Sequence, residues 1–509
     1  MSHQVNHAAA LVAIMTAACG GEPTLVITNV RVIDGTGSPA RVADVRIRGE
    51  RIAEVGELTV GAREAFHDGR GLTLTPGFID THSHHDRGLT DRRDALAAVS
   101  QGITTIVVGQ DGGSPFPLTD FFRQVEDSGV AVNVASYAGH NTIRRRVMGD
   151  DFRRTATESE IDSMEQLLRP ELEAGALGLS TGLEYDPGIY STTEEVVELA
   201  KVAAEYGARY ISHMRSEDRA LWDAVEETIR IGREADLPVQ ISHMKLAMRS
   251  LWGQADRLLS RLDAARDSGI VISADVYPYE FWQSTMTVLF PDRNFQDRAA
   301  ATFALEELAP PEGMLIARFA PDTSYVGRTM AEIAALRGTD PATTYMALIA
   351  ESQTWQDSTG RRGESIIARS MTWDDISRLY TWPHTNVSTD GALMGRHPRG
   401  YGSFTRVLGR LVREQGVLTW EEAVHRMTGL AAEHMGIGDR GVIGQGAYAD
   451  LVLLDPDRVI DRATPEDPNA VSEGIVQVWV NGVAVYAEGT ATNELPGRVI
   501  RRAAGESRE

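Results

Sequence analysis

Cysteine is almost missing from this chain: Cys19 is the only one in 509 residues, so no disulfide can close within it. Cations are also in short supply. Fifty Lys and Arg stand against 72 Asp and Glu, a formal net charge of −22, which argues against nucleic acid and anionic membrane surfaces as partners. The apolar stretch at residues 8–18, AAALVAIMTAA, is too brief to cross a bilayer, which takes about 20 residues. Hydrophobic content of 42% and charged content of 24% are ordinary for a globular protein. The length exceeds one average domain, yet a (β/α)₈ barrel with insertions reaches it.

The stretch at 8–18 ends in small residues just before Cys19-Gly20-Gly21. It resembles a bacterial lipoprotein signal, in which the cysteine carries the lipid. The preceding MSHQVNH departs from that pattern, because it holds no Lys or Arg. The expectation is a leader over residues 1–22 and a periplasmic or membrane-anchored protein with a lipid at Cys19. The alternative is a cytoplasmic protein with an apolar leader. The oligomeric state is not legible.

Beyond the leader the text is β-rich at both ends. LVITNVRVID (25–34), DVRIRGE (44–50) and RIAEVG (51–56) run apolar or alternate between Gly and Asp. ADLVLLDP (449–456) and VQVWVNGVAVYAEG (476–489) read alike, the second with a hairpin signal at Asn481-Gly482. A small β-sandwich-like domain built from residues 23–71 and 440–500 is expected. The middle, 72–439, alternates strands with helical segments, which implies parallel βαβ units. Candidate strands lie at 72–82, 103–109, 131–139, 176–183, 208–214, 238–245, 270–279 and 385–390. Eight repeats close into a TIM barrel, an α/β fold whose chemistry sits at the C-terminal strand ends. Residues 284–372 are too long for one crossover and are expected to form an inserted subdomain over the mouth.

The organising stretch is PGFIDTHSHHD (76–86). Side chains at i and i+2 of a strand share a face. His82 and His84 therefore converge at the end of a buried strand, where a hydrolytic metal is gripped. His213 in YISHMRSE and His243 in VQISHMK end strands five and six, and Asp390 in VSTDG ends strand eight. A carboxylate there needs a charge partner.

These motifs, with QGITTIVVG, GALGLSTGLEYDPG, HPRGYG and GQGAYADLVLLDP, resemble the amidohydrolase superfamily over roughly residues 24–490, and within it the D-aminoacylase family. The resemblance implies that His82, His84, His213 and His243 ligate zinc, one ion or two, and that Asp390 is both a metal ligand and the catalytic acid/base. It implies hydrolysis of N-acyl-D-amino acids to a carboxylate and a free D-amino acid. One departure is informative. Where the family carries a cysteine ligand after strand two, this chain reads GQDGG, with Asp111 in its place. Strand four ends in GLEYDPG, so Glu184 is expected to bridge the metals, with Asp111 as the alternative carboxylate.

The α-carboxylate of such a substrate calls for cations. The family pattern points to Lys245 and Arg399, with Tyr185, Tyr190 and Ser284 completing the clamp. Arg215, Glu217 and Asp86 are candidates to orient ligand histidines, while His67, His85, His140, His384 and His397 are not needed. A cyclic amidase of the dihydroorotase–hydantoinase kind, or a dipeptidase acting on D- or β-linked peptides, is the competing enzyme reading. A metal-free binding protein is the reading from another class.

Overall fold

The computed structural model describes residues 23–503, so the leader and Cys19 lie outside the described residues. Eight strands build the barrel: β1 (Phe78–Asp80), β2 (Ile103–Val108), β3 (Asn133–Ser136), β4 (Gly178–Gly182), β5 (Arg209–His213), β6 (Val239–Ile241), β7 (Ile272–Val276) and β8 (Thr385–Val387). Paired neighbours run parallel. Beyond β3 the chain resumes as Ala138–Gly139, which pairs in parallel with β4. The ring closes between β8 and β1, where the amide of Asp390 donates to the carbonyl of His82 at 2.9 Å and that of His84 to Gly391 at 2.8 Å. Every residue of β2, ITTIVV, is buried, as a parallel strand covered on both faces requires.

The covering helices carry a 3.6-residue apolar period. Helix Leu221–Ala235, between β5 and β6, buries Leu221, Ala224, Val225, Thr228, Ile229, Ile231, Gly232 and Ala235, one stripe of its surface. Each large aliphatic side chain in that stripe contributes about 1.5–3 kcal/mol by leaving water.

The apolar run at 72–82 is not one strand. Thr73–Pro76 pairs with Thr24–Val32 and with Leu451–Leu454, in a sheet made of both chain ends. The chain then turns at Gly77 and enters the barrel as β1. A Cβ at Gly77 would lie 2.1 Å from Oγ1 of Thr104, so a side chain there would push the two sheets apart. The nine-stranded terminal sheet also contains Arg41–Arg48, Arg51–Gly56 and the hairpin Ile475–Val480 with Val483–Ala487, turned at Asn481-Gly482.

Between β7 and β8 the chain forms a separate unit. Phe281–Ser284, Glu364–Arg369 and Met314–Phe319 make a three-stranded antiparallel sheet. Helices Met330–Arg337 and Pro341–Thr359 belong to it, and Phe290, Tyr345, Leu348 and Ile366 share an apolar cluster distinct from the barrel's. Ser284, Arg318 and Arg362 from this unit face the same cavity as Asp390 and Arg399.

Candidate metal centre

The β1–β8 seam sets the first part of the site. Asp80, fully buried, accepts from the amide of Thr389 at 2.9 Å and from its hydroxyl at 2.5 Å. Burial pushes its carboxyl up to about 7, against the pull of those bonds. This clasp holds His82 and Asp390 opposite each other just beyond the strand ends.

Around that pair the ionisable side chains converge. Nε2 of His82 lies 3.4 Å from Oδ1 of Asp111 and 3.6 Å from Oδ1 of Asp390. Nε2 of His84 lies 3.2 Å from Asp111 and 3.3 Å from Asp390. Nε2 of His243 lies 3.4 Å from Oδ1 of Asp111 and 3.0 Å from Nδ1 of His213. One donor atom from each of His82, Asp111, His243 and Asp390 falls within 4.8 Å of all the others, and His213, Glu217 and His243 form a second such group. Three of these residues sit in the left-handed backbone region: Asp111 (φ 53°), His243 (φ 34°) and Asp390 (φ 45°). Such strain persists where surrounding structure enforces it, typically at functional sites.

Asp111 and Glu184 take different places. Asp111 is the carboxylate among His82, His84 and His243, and Glu184 stands to one side, its Oε2 2.8 Å from Nε2 of His213. The loop that delivers Asp111 is tight. Gln110 bonds back to the carbonyls of Thr81 and Val107, and a Cβ on Gly112 (φ 72°) would come 2.2 Å from Oδ1 of Asn141.

The cluster fits a metal ion. Both ring nitrogens of His82 and Oδ1 of Asp111 are buried without any hydrogen-bond partner. Orphaned buried polar atoms are costly unless something else takes their lone pairs, and imidazole with carboxylate is a donor set suited to zinc. Without an ion, protons do the neutralising. Burial disfavours the imidazolium of His84, but hydrogen bonds to Asp111 and Asp390 outweigh it and hold the group up to about 9. Burial and Lys245 oppose the charge on His243, yet Glu217, Asp390 and Asp111 raise it to about 10. Burial works against ionisation of Asp111 and Asp390 too, and the facing imidazoles, with Arg399 for Asp390, hold both carboxyls well below the usual range.

The residues expected to bind substrate are near, but engaged. NH1 of Arg399 lies 2.6 Å from Oδ2 of Asp390. Nζ of Lys245 lies 2.5 Å from Oε1 of Glu217, which also takes Nδ1 of His243 at 2.8 Å. Glu217 thus orients a cluster histidine, whereas Arg215 pairs with Glu227 at 2.8 Å. The Tyr185 ring packs against His213 at a tilt of 37°, with centroids 4.3 Å apart. Lys245, Arg399, Tyr185 and Ser284 line a small inner recess with Trp282, Val288, Leu289 and Leu308. Tyr190 lies in the wider outer cavity, of about 1670 Å³, packed on Phe152 at 5.8 Å. His140 bonds Glu195 at 2.8 Å, His397 bonds the carbonyl of Phe281 at 2.8 Å and His85 bonds Ser83 at 2.7 Å, so these three serve the scaffold.

Two residues escaped the sequence reading. Asp275 on β7 accepts from the amide of His243 at 2.9 Å and from the Ser388 hydroxyl at 2.6 Å, and lies 3.8 Å from Nδ1 of His82. An acid inside a buried strand is the signal that could have found it. Tyr277 has a buried, unpartnered hydroxyl, and its ring lies 4.8 Å from the Arg399 guanidinium and 5.6 Å from the Lys245 ammonium. Nothing local marks it out from other tyrosines.

With this geometry in place, comparison with known proteins is informative. The chain matches the amidohydrolase family model over residues 66–282 and 284–486. It is 37% identical to an N-acyl-D-glutamate deacylase of Alcaligenes xylosoxydans xylosoxydans, covering 94% of this chain and 96% of that one. It is 35% identical to a D-aminoacylase of the same organism, covering 94% and 98%. The solved N-acyl-D-glutamate deacylase of Bordetella bronchiseptica, complexed with zinc and a phosphonate mimic of the tetrahedral intermediate, superposes with a TM-score of 0.83 at 35% identity, covering 95% of this chain and 100% of that one.

Proposed function

Since the chain belongs to the amidohydrolase family, and within it to the D-aminoacylase branch, we propose that it hydrolyses the amide bond of N-acyl-D-amino acids with the help of zinc. The observation that carries this reading is the gathering of His82, Asp111, His243 and Asp390 within 4.8 Å of one another, with His84 against Asp111 and His213 against His243, and with both nitrogens of His82 lacking a hydrogen-bond partner.

His82, His84, Asp111, His243 and Asp390 would hold the principal ion, and His213 with Glu184 or Glu217 is placed to hold a second. When bound, zinc polarises the scissile carbonyl and makes water acidic enough to ionise near neutral pH, from a bulk value of ~15.7 toward ~7. Asp390 moves the proton. Held ionised by Arg399, it accepts a proton from the attacking water and returns it to the leaving nitrogen, without which an amine departs poorly. Glu217 and Asp275 fix the ring and backbone of His243, a supporting arrangement that metal-binding histidines generally have. Arg399 and Lys245 face the inner recess, where a substrate α-carboxylate would join Asp390 and Glu217 as their partner. Tyr185, Tyr277 and Ser284 bound that position.

The test is a panel of N-acetyl-D- and N-acetyl-L-amino acids, with hydantoins and dipeptides beside them, given to the zinc-loaded protein. Turnover confined to D-configured N-acyl compounds is expected. Turnover of hydantoins or dipeptides alone would contradict it. For location, the sequence of residues 8–19 supports export and lipid attachment at Cys19. Cys19→Ser abolishing incorporation of labelled fatty acid is the expected outcome, and unchanged incorporation would remove the anchor.

A further inference from the structure

Barrel interiors are filled by branched apolar side chains, and strands β1 to β5 follow that rule. Ile79, Val107, Leu177 and Ile211 pack with Met435 of helix Gly429–Met435, which plugs the N-terminal strand ends. Strands β6 to β8 do not follow it. Gln240 on β6, Asp275 on β7 and Asn386 on β8 are all buried, and their hydrogen bonds run in one direction. The side-chain amide of Gln240 donates to Oδ2 of Asp275 at 2.8 Å. Its oxygen accepts from the amide of Asn386 at 3.1 Å and from the hydroxyl of Ser273 at 3.2 Å. With its amide committed, Asn386 has only its oxygen for Nδ1 of His434, 3.0 Å away, so that nitrogen carries the proton. Burial, with His384, Arg266 and Arg209 nearby, pushes His434 down to about 3 and keeps the ring neutral. Each donor in this row therefore faces Asp275, from the half-buried ring at the bottom of the barrel to the carboxylate beneath the metal centre.

A fully buried carboxylate is costly without a charge partner, and apolar side chains would fill the same space, as they do across the barrel. Among the described residues no Lys or Arg forms an ion pair with Asp275. Its other hydrogen bonds come from the amide of His243 and the hydroxyl of Ser388. The cationic partner within reach is His82, whose Nδ1 lies 3.8 Å from Oδ2 and has no hydrogen-bond partner. Nε2 of the same ring faces Asp111 and Asp390. An imidazole that donates from Nδ1 to a carboxylate presents Nε2 as a fixed and more basic ligand. We propose that Gln240 and Asn386 are positioning residues for the metal centre: with His434 they hold Asp275 so that it accepts from Nδ1 of His82 and leaves Nε2 to ligate. The inference rests on the zinc-centre reading above. Aligned hydrogen bonds polarise one another, so a donor lost low in the row is felt at Asp275.

The experiment measures zinc dissociation constants of the full chain by chelator competition, with kcat and KM beside them. The proteins are the parent, Asp275→Asn, Asn386→Leu and the double variant. Asp275→Asn should weaken zinc binding by about 10–100-fold, the usual effect of losing the partner of a ligating histidine. Asn386→Leu keeps the volume but breaks the row, and should weaken zinc by about tenfold while KM stays within about twofold. In the Asp275→Asn background the same substitution should change zinc affinity by less than about twofold, because the residue it acts through is already altered. His434→Phe lies at the half-buried end, where folding is least at stake. It should weaken zinc by about threefold, and it serves if the core variants do not fold. Effects of Asp275→Asn and Asn386→Leu that simply multiply would make Asn386 a packing residue and overturn the proposal. So would unchanged zinc affinity in Asp275→Asn or in His434→Phe. A parent that binds no zinc would overturn the hydrolase reading as well.

Discussion

The imidazoles of His84 and His243 are balanced between a proton and a metal. The folded pKa values of His84 and His243, about 9 and about 10, lie above the ordinary 6.5. Raised values of this kind stabilise the metal-free fold fully below the ordinary pKa, and the gain is lost as pH rises through the folded values. The metal-free protein should therefore lose melting temperature between about pH 7 and 10, whereas a zinc-loaded sample should not follow the same trend. Zinc must also displace those protons, so binding at pH 8 should release them, measurable by calorimetry in buffers of different ionisation enthalpy. Zinc uptake with no proton release would contradict the protonated cluster. Asp390→Asn should retain zinc and lower kcat by about 10²–10⁴-fold, the range assigned to a positioned proton carrier. A variant turning over within a factor of two of the parent would remove Asp390 from the chemistry.

Secondary-structure elements explain why the residues meet. Asp80 joins β1 to β8 through Thr389, and the tight loop after β2 presents Asp111. Gly112→Ala puts a side chain against Asn141 and should weaken zinc affinity by about 10–100-fold, as disturbing the support of a metal ligand does. Equilibrium dialysis against zinc measures it, and unchanged affinity would show that the loop adjusts freely. The inserted unit has its own core, in which Leu348 is fully buried. Leu348→Ala should destabilise it by about 2–5 kcal/mol, seen as an early unfolding transition or faster proteolysis within the insertion. At this scale the sequence was readable wherever periodicity is local. Barrel strands, helix stripes and strand-end histidines all follow from the order of residues. The division of residues 72–82 between two sheets was not readable, because an apolar strand looks the same whichever sheet it joins. Only the contact of Gly77 with Thr104 separates them.

For the whole molecule, the distribution of charge matters more than its sum. A chain of net charge −22 nearly dispenses with lysine, Lys201 and Lys245 being the only two. Lys245 is buried against Glu217 at 2.5 Å. That partnership joins the loops after the neighbouring strands β5 and β6 and leaves no trace in composition. The same holds for the choice between Asp111 and Glu184. Both end barrel strands, and only the closed ring decides which carboxylate faces His82. Tyr277 went unread for the same reason, since its role comes from neighbours far away in the chain, whereas Asp275 carried a local signal as an acid inside a buried strand. The central claim is that these separated side chains gather one zinc ion at the barrel mouth, and anomalous diffraction at the zinc edge from zinc-loaded crystals tests it most directly. A peak among His82, His84, Asp111, His243 and Asp390 is predicted, with or without a second beside His213; no peak among those five would contradict the account.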